Sequence, residues 1–137
     1  MAITYSMTKT MRVSDYQDIV TRAKLHRQLN DETKIYNMLQ HADYLFTAWD
    51  GDKLVGFSRG MTDYGDMVYV GDLGVDENYR KLGIGHHLLD MVSEKFGSGM
   101  HVGLFASEMA KDYYEKVGFT KDPRGYMKNP DPLDPHD

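Results

Sequence analysis

A chain of 137 residues, 41% hydrophobic and 27% charged, has the length of one domain and enough apolar content for a sizeable core. Its 16 Lys plus Arg against 21 Asp plus Glu leave a net charge of -5, which argues against a broad nucleic-acid surface and leaves a cationic small substrate electrostatically more comfortable. The absence of cysteine excludes disulfides, thiolate zinc sites and a cysteine nucleophile, so the chemistry must run on oxygen and nitrogen groups.

Ile3, Tyr5 and Met7 alternate within residues 2–9 and predict a first strand. The opening Met1-Ala-Ile-Thr-Tyr-Ser6 lacks the basic region and apolar core of a secretory signal, and no run of about 18 apolar residues suits a membrane span. Cytoplasmic residence is therefore the default expectation. Ser14-Asp-Tyr-Gln17 reads as a capping box opening a helix through about His26, with Tyr16, Ile19, Val20 and Ala23 inward. Asp31 begins a second helix, whose inner face carries Ile35, Met38, Leu39 and Ala42. Residues 44–49 form a nearly continuous apolar strand, and Asp50-Gly-Asp52 turns it back into residues 53–61 as a hairpin. Asp63-Tyr-Gly-Asp66 is a further turn, leading into a strand over 67–75.

After a glycine turn, Ile84, Leu88, Val92 and Phe96 recur every four residues, placing one stripe of a helix against the sheet until Gly97-Ser-Gly99 stops it. Residues 101–105 read as a strand, and Ser107 can cap a helix that runs through Lys116 and ends at Gly118. Phe119-Thr-Lys121 and Tyr126-Met-Lys128 predict a terminal antiparallel pair, and the proline-rich residues 129–137 a loose tail, so a single domain is expected over 1–128. The six histidines are dispersed, and the adjacent His86 and His87 point in different directions on a helix, so no metal is expected. Strands alternating with helices after an antiparallel start predict an α/β fold.

The segment from Asp72 to Leu89 carries the most chemistry: a strand, a short turn, then Arg80-x-x-Gly83-x-Gly85 opening an amphipathic helix. Two glycines leave main-chain N–H groups unobstructed, and the helix start adds free donors and the positive end of its dipole, which suits an anion such as pyrophosphate. Arg80 and Lys81 lie at the mouth of the turn and could add charge-assisted contacts. No Gly-Lys-Ser/Thr closes a phosphate loop, and Leu88 stands where a dinucleotide fingerprint has its third glycine. A glycine-rich turn without a ligand is the competing reading of the hexapeptide alone.

Asn78-Tyr-Arg-Lys-Leu-Gly-Ile-Gly85 resembles the acetyl-CoA motif of the GNAT acetyltransferase superfamily, and Ala110-Lys-Asp-Tyr-Tyr-Glu-Lys-Val-Gly-Phe119 is similar to its downstream Ala-x-x-x-Tyr-Glu-Lys-x-Gly-Phe signature. The resemblance extends over roughly residues 44–119 and implies a GNAT fold, a mixed central β-sheet flanked by helices. It also implies acetyl-CoA as co-substrate and an amine as acceptor; from charge and hydropathy no nucleic-acid or membrane partner is expected, and a homodimer is left open. Cofactor contacts carried over by the resemblance are the pyrophosphate turn of Arg80, Lys81, Leu82, Gly83, Ile84, Gly85 and His86, and main-chain contacts from Leu73, Gly74 and Val75 to the pantetheine arm. Ser107 stands where many relatives carry an asparagine that helps hold CoA, with helix capping as the alternative role.

Direct acetyl transfer needs a proton for the leaving thiolate and an acceptor nitrogen that has lost its own. Helical period cannot choose between Tyr113 and Tyr114, but the family signature aligns Tyr114 with the general acid. Asp72, inside an apolar strand, calls for a partner or a task and is either the catalytic base or a structural anion, with Arg59 as its ion-pair partner or facing an anionic part of the substrate. In the plain alternation Tyr69 and Gly71 share the face of Leu73, and Asp72 takes the other unless a bulge intervenes. Tyr69 replaces the family's glutamate base in this register. The activity read from the sequence is N-acetyl transfer from acetyl-CoA in a ternary complex; a noncatalytic acyl-CoA sensor and a protein lysine or N-terminal acetyltransferase are the alternatives.

Overall fold

Alternation along the strands decides which side of the sheet each helix covers. In the computed structural model, which describes residues 2–107 and 110–128, β1 (Ile3–Ser6), β2 (Tyr44–Asp50), β3 (Lys53–Thr62) and β4 (Met67–Val75) pair antiparallel in chain order. Then β5 (His101–Leu104) joins β4 in parallel, giving a five-stranded mixed sheet of order β1-β2-β3-β4-β5. A parallel neighbour requires a crossover, and α3 (Ile84–Phe96) supplies it. Tyr44, Phe46, Ala48, Val55 and Val68 project to one face and pack under Ile84, Leu88 and Val92 of α3. Leu54 and Phe57 project to the other, against Tyr16, Ile19 and Val20 of α1 (Val13–Arg22) and Ile35 of α2 (Glu32–Gln40). Each fully buried side chain of this kind contributes on the order of 1.5–3 kcal/mol. The two-sided mixed sheet is the fold expected from the sequence.

Helix ends differ from expectation in ways that matter for the site. The cap of α1 is Arg12 with Asp15, not Ser14 with Gln17: the Asp15 carboxylate accepts the Arg12 backbone N–H at 2.9 Å and its Nε at 3.2 Å. The helix also closes before His26. Leu25 N–H donates to Val20 O at 3.1 Å and Lys24 N–H to Thr21 O at 3.2 Å, a Schellman closure in which Lys24, at φ 60, takes the left-handed place usually given to glycine. The chain that leaves this end carries Arg27 back to β4. By contrast, Asp31 caps α2 as expected, its Oδ1 accepting Lys34 N–H at 3.0 Å.

The last helix, α4, spans only Lys111–Lys116 with Ala110 at its N-cap, so Ser107 is not its cap. The expected pair of strands at 119–121 and 126–128 is not formed: this segment holds a turn around Asp122 and Arg124, and Tyr126 is 96% exposed. The expected tail at 129–137 lies outside the described residues.

Candidate active site

The site begins with an irregularity in β4. Gly60 pairs with Val70 but Arg59 pairs with Asp72, so Gly71 is an extra residue that bulges from the strand. The bulge changes the alternation: Val68 below it and Leu73 and Val75 above it all reach the core under α3, while Asp72 and Gly74 face α1. Tyr69 shares the face of Asp72, not that of Leu73. Two glycines make the close approach possible. A Cβ on Gly60 would overlap the Tyr69 carbonyl oxygen and the Tyr44 ring, and one on Gly71 would lie 2.8 Å from an Arg59 guanidinium nitrogen.

Beyond the bulge the sheet parts. Pairing of β4 with β5 runs from Met67 with His101 to Val70 with Leu104, and among the described residues no strand lies beside Gly71 to Val75 on that side. A cavity of about 670 Å³ opens there, walled by Leu73, Gly74 and Val75, by the turn into α3, by Ser107 and by Tyr113 and Tyr114 of α4. Of the residues assigned in the sequence to catalysis or to the cofactor it gathers all but two, Leu82, which is 53% exposed, and Asp72, which lies behind the strand; Arg59 and Tyr69 also lie outside it.

At the turn, Lys81 at φ 66 and Gly83 at φ 79 are both left-handed, which tightens the chain into the start of α3. The first bond of the helix is His87 N–H to Gly83 O at 2.9 Å, so the N–H groups of Ile84, Gly85 and His86 precede the intrahelical ladder, at the positive end of the helix dipole. The two glycines serve different ends. Gly83 is required by its backbone conformation, while a Cβ on Gly85 would stand 3.3 Å from the Tyr113 hydroxyl. Arg80 lines the cavity and also braces it, donating from Nη2 to the Ala23 carbonyl at 2.8 Å and tying the end of α1 to the turn.

Tyr114 borders both this cavity and an adjoining smaller opening of about 50 Å³, lined also by Arg27, Gly71 and Phe105. Its ring is held edge-on by Tyr113 at 5.3 Å and Phe119 at 5.6 Å. Burial, assisted by Tyr113 and opposed by Arg27, pushes its phenol up to about 12, so it carries its proton at neutral pH.

Asp72 is buried and heavily hydrogen-bonded. Its carboxylate, 1% exposed, accepts Arg59 Nε at 2.7 Å, Arg27 Nε at 2.8 Å and the Tyr16 hydroxyl at 3.0 Å. Burial alone would raise this carboxyl, but Arg59 and then Arg27, by charge and hydrogen bonding, hold it below the ordinary range. Of the two roles left open for Asp72, base or structural anion, these contacts are those of a structural anion: its lone pairs are directed at two guanidiniums and a phenol. Arg59 takes the ion-pair role. Arg27 also donates to the Gly71 carbonyl at 3.3 Å, and Ser58 Oγ, itself 2.8 Å from the Tyr44 hydroxyl, donates to the Asp72 carbonyl at 3.0 Å. The whole cluster grips the bulge. Nothing local in the sequence marked Arg27 or Tyr16, because their partner lies 45 and 56 residues away.

Among the described residues no group of three or more His, Asp or Glu is placed to hold a metal ion, and no helix is long and apolar enough to cross a membrane. Residues 9–129 match the family model described as acetyltransferase (GNAT) domain. An uncharacterized N-acetyltransferase, ycf52, of Pyropia yezoensis is 29% identical over 106 residues, covering 74% of this chain and 56% of the relative, so the chain spans about half of that protein. The GNAT-family acetyltransferase of Streptococcus pneumoniae superposes with a TM-score of 0.73 at 23% identity, over 93% of this chain and 98% of that one. Glucosamine-6-phosphate N-acetyltransferase of Arabidopsis thaliana gives 0.67 at 16% identity, over 96% and 100%. At such identities the structures speak for the fold, while the family match, spanning most of the sequence, speaks for descent: the chain belongs to the GNAT acetyltransferase domain family.

Proposed function

We propose that this protein is an N-acetyltransferase that passes an acetyl group from acetyl-CoA to an amine by direct attack in a ternary complex. The observation that carries the reading is one cavity that joins the bare N-terminus of α3, the unpaired edge of β4 and the buried phenol of Tyr114. The amides of Ile84, Gly85 and His86, with Lys81 beside them, would hold the diphosphate. The main chain of Leu73 to Val75 would take the pantetheine arm as an added strand, with Ser107 across the gap. When bound, acetyl-CoA supplies the thioester carbonyl. The amine nitrogen forms the new C–N bond as the C–S bond breaks, Tyr114 gives its proton to the departing sulfur, and water carries away the proton of the amine. Asp72 is a positioning residue here: through Arg27 and Arg59 it fixes the Gly71 bulge that opens the strands.

Incubation of the protein with acetyl-CoA and a panel of primary amines, read by release of free CoA, tests the reading. Initial velocities with both substrates varied are expected to give intersecting lines. Parallel lines with an acetylated enzyme would replace direct attack by a two-step route, and binding of acetyl-CoA without CoA release for any amine would make the protein a sensor.

Acetyl-CoA at about 100 times its dissociation constant is expected to add roughly 2.7 kcal/mol to native stability. In Gly85→Val this gain is lost, because the added side chain presses on the Tyr113 hydroxyl where the turn must stay open. Melting temperatures with and without ligand check it, and an undiminished shift in the variant would move the cofactor elsewhere.

A further inference from the structure

On the face of the sheet that carries Tyr69, the described residues leave a group of apolar side chains half-exposed, with Gly125 lying against one edge of Phe105. Met61 of β3 pairs with Tyr69 of β4, the Met67 side chain lies over Gly103 of β5, and the Tyr69 ring meets Phe105 edge-on at 6.2 Å. Met61, Met67 and Phe105 are 43%, 45% and 50% exposed. Polar residues are the usual occupants of a solvent-facing strand end, so three adjoining exposed apolar side chains require an explanation.

Their placement supplies one. Phe105 also lines the smaller opening, together with Arg27, Gly71 and Tyr114. Through Phe105 the apolar face therefore adjoins the opening that the proposed acid borders, next to the cavity assigned to acetyl-CoA. A ring laid in the corner between Phe105 and Tyr69, whose planes stand at 67°, would be buried against aromatic surface on two sides, with thioether side chains at its rim that adapt to its outline. A group one short chain away from that ring falls in the opening beside Tyr114. A polyamine or an aminosugar fares worse, because its second ammonium or its hydroxyls would lose water against methionine and phenylalanine faces that return no hydrogen bond.

We propose that Met61, Met67, Tyr69 and Phe105 form the acceptor subsite and that the acceptor is a primary amine joined by a short alkyl chain to an aromatic ring. This rests on the N-acetyltransferase reading above. The test uses the full chain with acetyl-CoA and compares 2-phenylethylamine and tryptamine with spermidine and glucosamine by kcat/KM. The aromatic amines are expected to lead by about tenfold or more, the scale on which burial of an apolar group discriminates between substrates. Phe105→Ala is expected to raise the KM for 2-phenylethylamine by about tenfold with the KM for acetyl-CoA unchanged, and Phe105→Leu to recover part of the loss. Met67→Ser, on the exposed rim, gives the same direction of change should Phe105→Ala fail to fold.

Turnover of spermidine or glucosamine at rates equal to the aromatic amines overturns the subsite while leaving acetyl transfer standing. Equal effects of Phe105→Ala on both KM values do the same. Sedimentation showing a dimer that Phe105→Ala or Met67→Ser dissociates would assign the face to a second copy of the chain instead. Absence of CoA release with every amine removes the enzymatic reading and the subsite together.

Discussion

Replacing Tyr114 by phenylalanine is expected to lower turnover about 100-fold to 10,000-fold while leaving acetyl-CoA affinity near that of the parent protein. The substitution removes one hydroxyl and keeps the ring that packs on Tyr113 and Phe119, so the walls of the cavity persist. What disappears is a proton held at the junction of the two openings by a phenol raised to about 12. An acid of that strength stays protonated throughout the neutral and mildly alkaline range. With subsaturating amine the rate should climb with pH as the amine loses its proton, and the falling limb set by the phenol should come only near its own high value. Tyr113→Phe is the control, since that hydroxyl sits over Gly85 and not in the smaller opening. Small and equal losses in the two variants would reduce both tyrosines to packing.

Truncating Asp72 to alanine is expected to cost about 3–5 kcal/mol of stability, the range for leaving buried charge without its partner. Two guanidiniums and the Tyr16 hydroxyl lose their common acceptor in a place that water does not reach. The effect has a pH signature. The folded carboxyl lies below its ordinary value, so its contribution is complete above the unfolded value of about 3.9 and is lost as pH falls through the folded one. Denaturant midpoints of the parent should therefore drop on acidification below about pH 4, and the variant should be less stable at neutral pH with a flatter acid limb. An unchanged midpoint at neutral pH would show that the cluster does not stabilise the fold. Asp72→Asn, with the pH–rate profile unchanged in shape, is the outcome expected of a positioning residue; loss of activity confined to neutral pH would return Asp72 to the role of base.

The parts of the fold that were legible in the sequence are those whose causes are local. The β2–β3 hairpin follows from two apolar runs around Asp50-Gly-Asp52, and the passage from β4 into α3 follows from Gly83 and Gly85 with a stripe of Ile84, Leu88 and Val92 behind them. Features with distant causes were not. The end of α1 hid because Lys24, a residue with no glycine-like freedom, adopts φ 60 under the bonds that close the helix. The bulge at Gly71 was only an option in the alternation, since an Arg59 guanidinium packs so close that a Cβ there would lie 2.8 Å from its nitrogen. Ser107 had the chemistry of a cap, but the helix it was expected to start begins at Lys111, and its place is the wall of the cavity.

The divergence of β4 from β5 leaves a stretch of main chain in an unusual state for the inside of a sheet. From Gly71 to Val75 the strand has β3 on one side and, among the described residues, no strand on the other, the condition of an edge strand, though it lies one place in from the end of the order. Edge strands invite other extended chains to pair with them, so an empty gap is a point of self-association and an occupied one is sealed. Outward amides in this stretch should exchange with solvent deuterium quickly in the empty protein and slowly when a pantetheine arm lies beside them, whereas those of Val68 and Val70, within the paired part of both ladders, should hardly change. Occupancy can then be followed along the backbone itself, with no turnover and no acceptor needed.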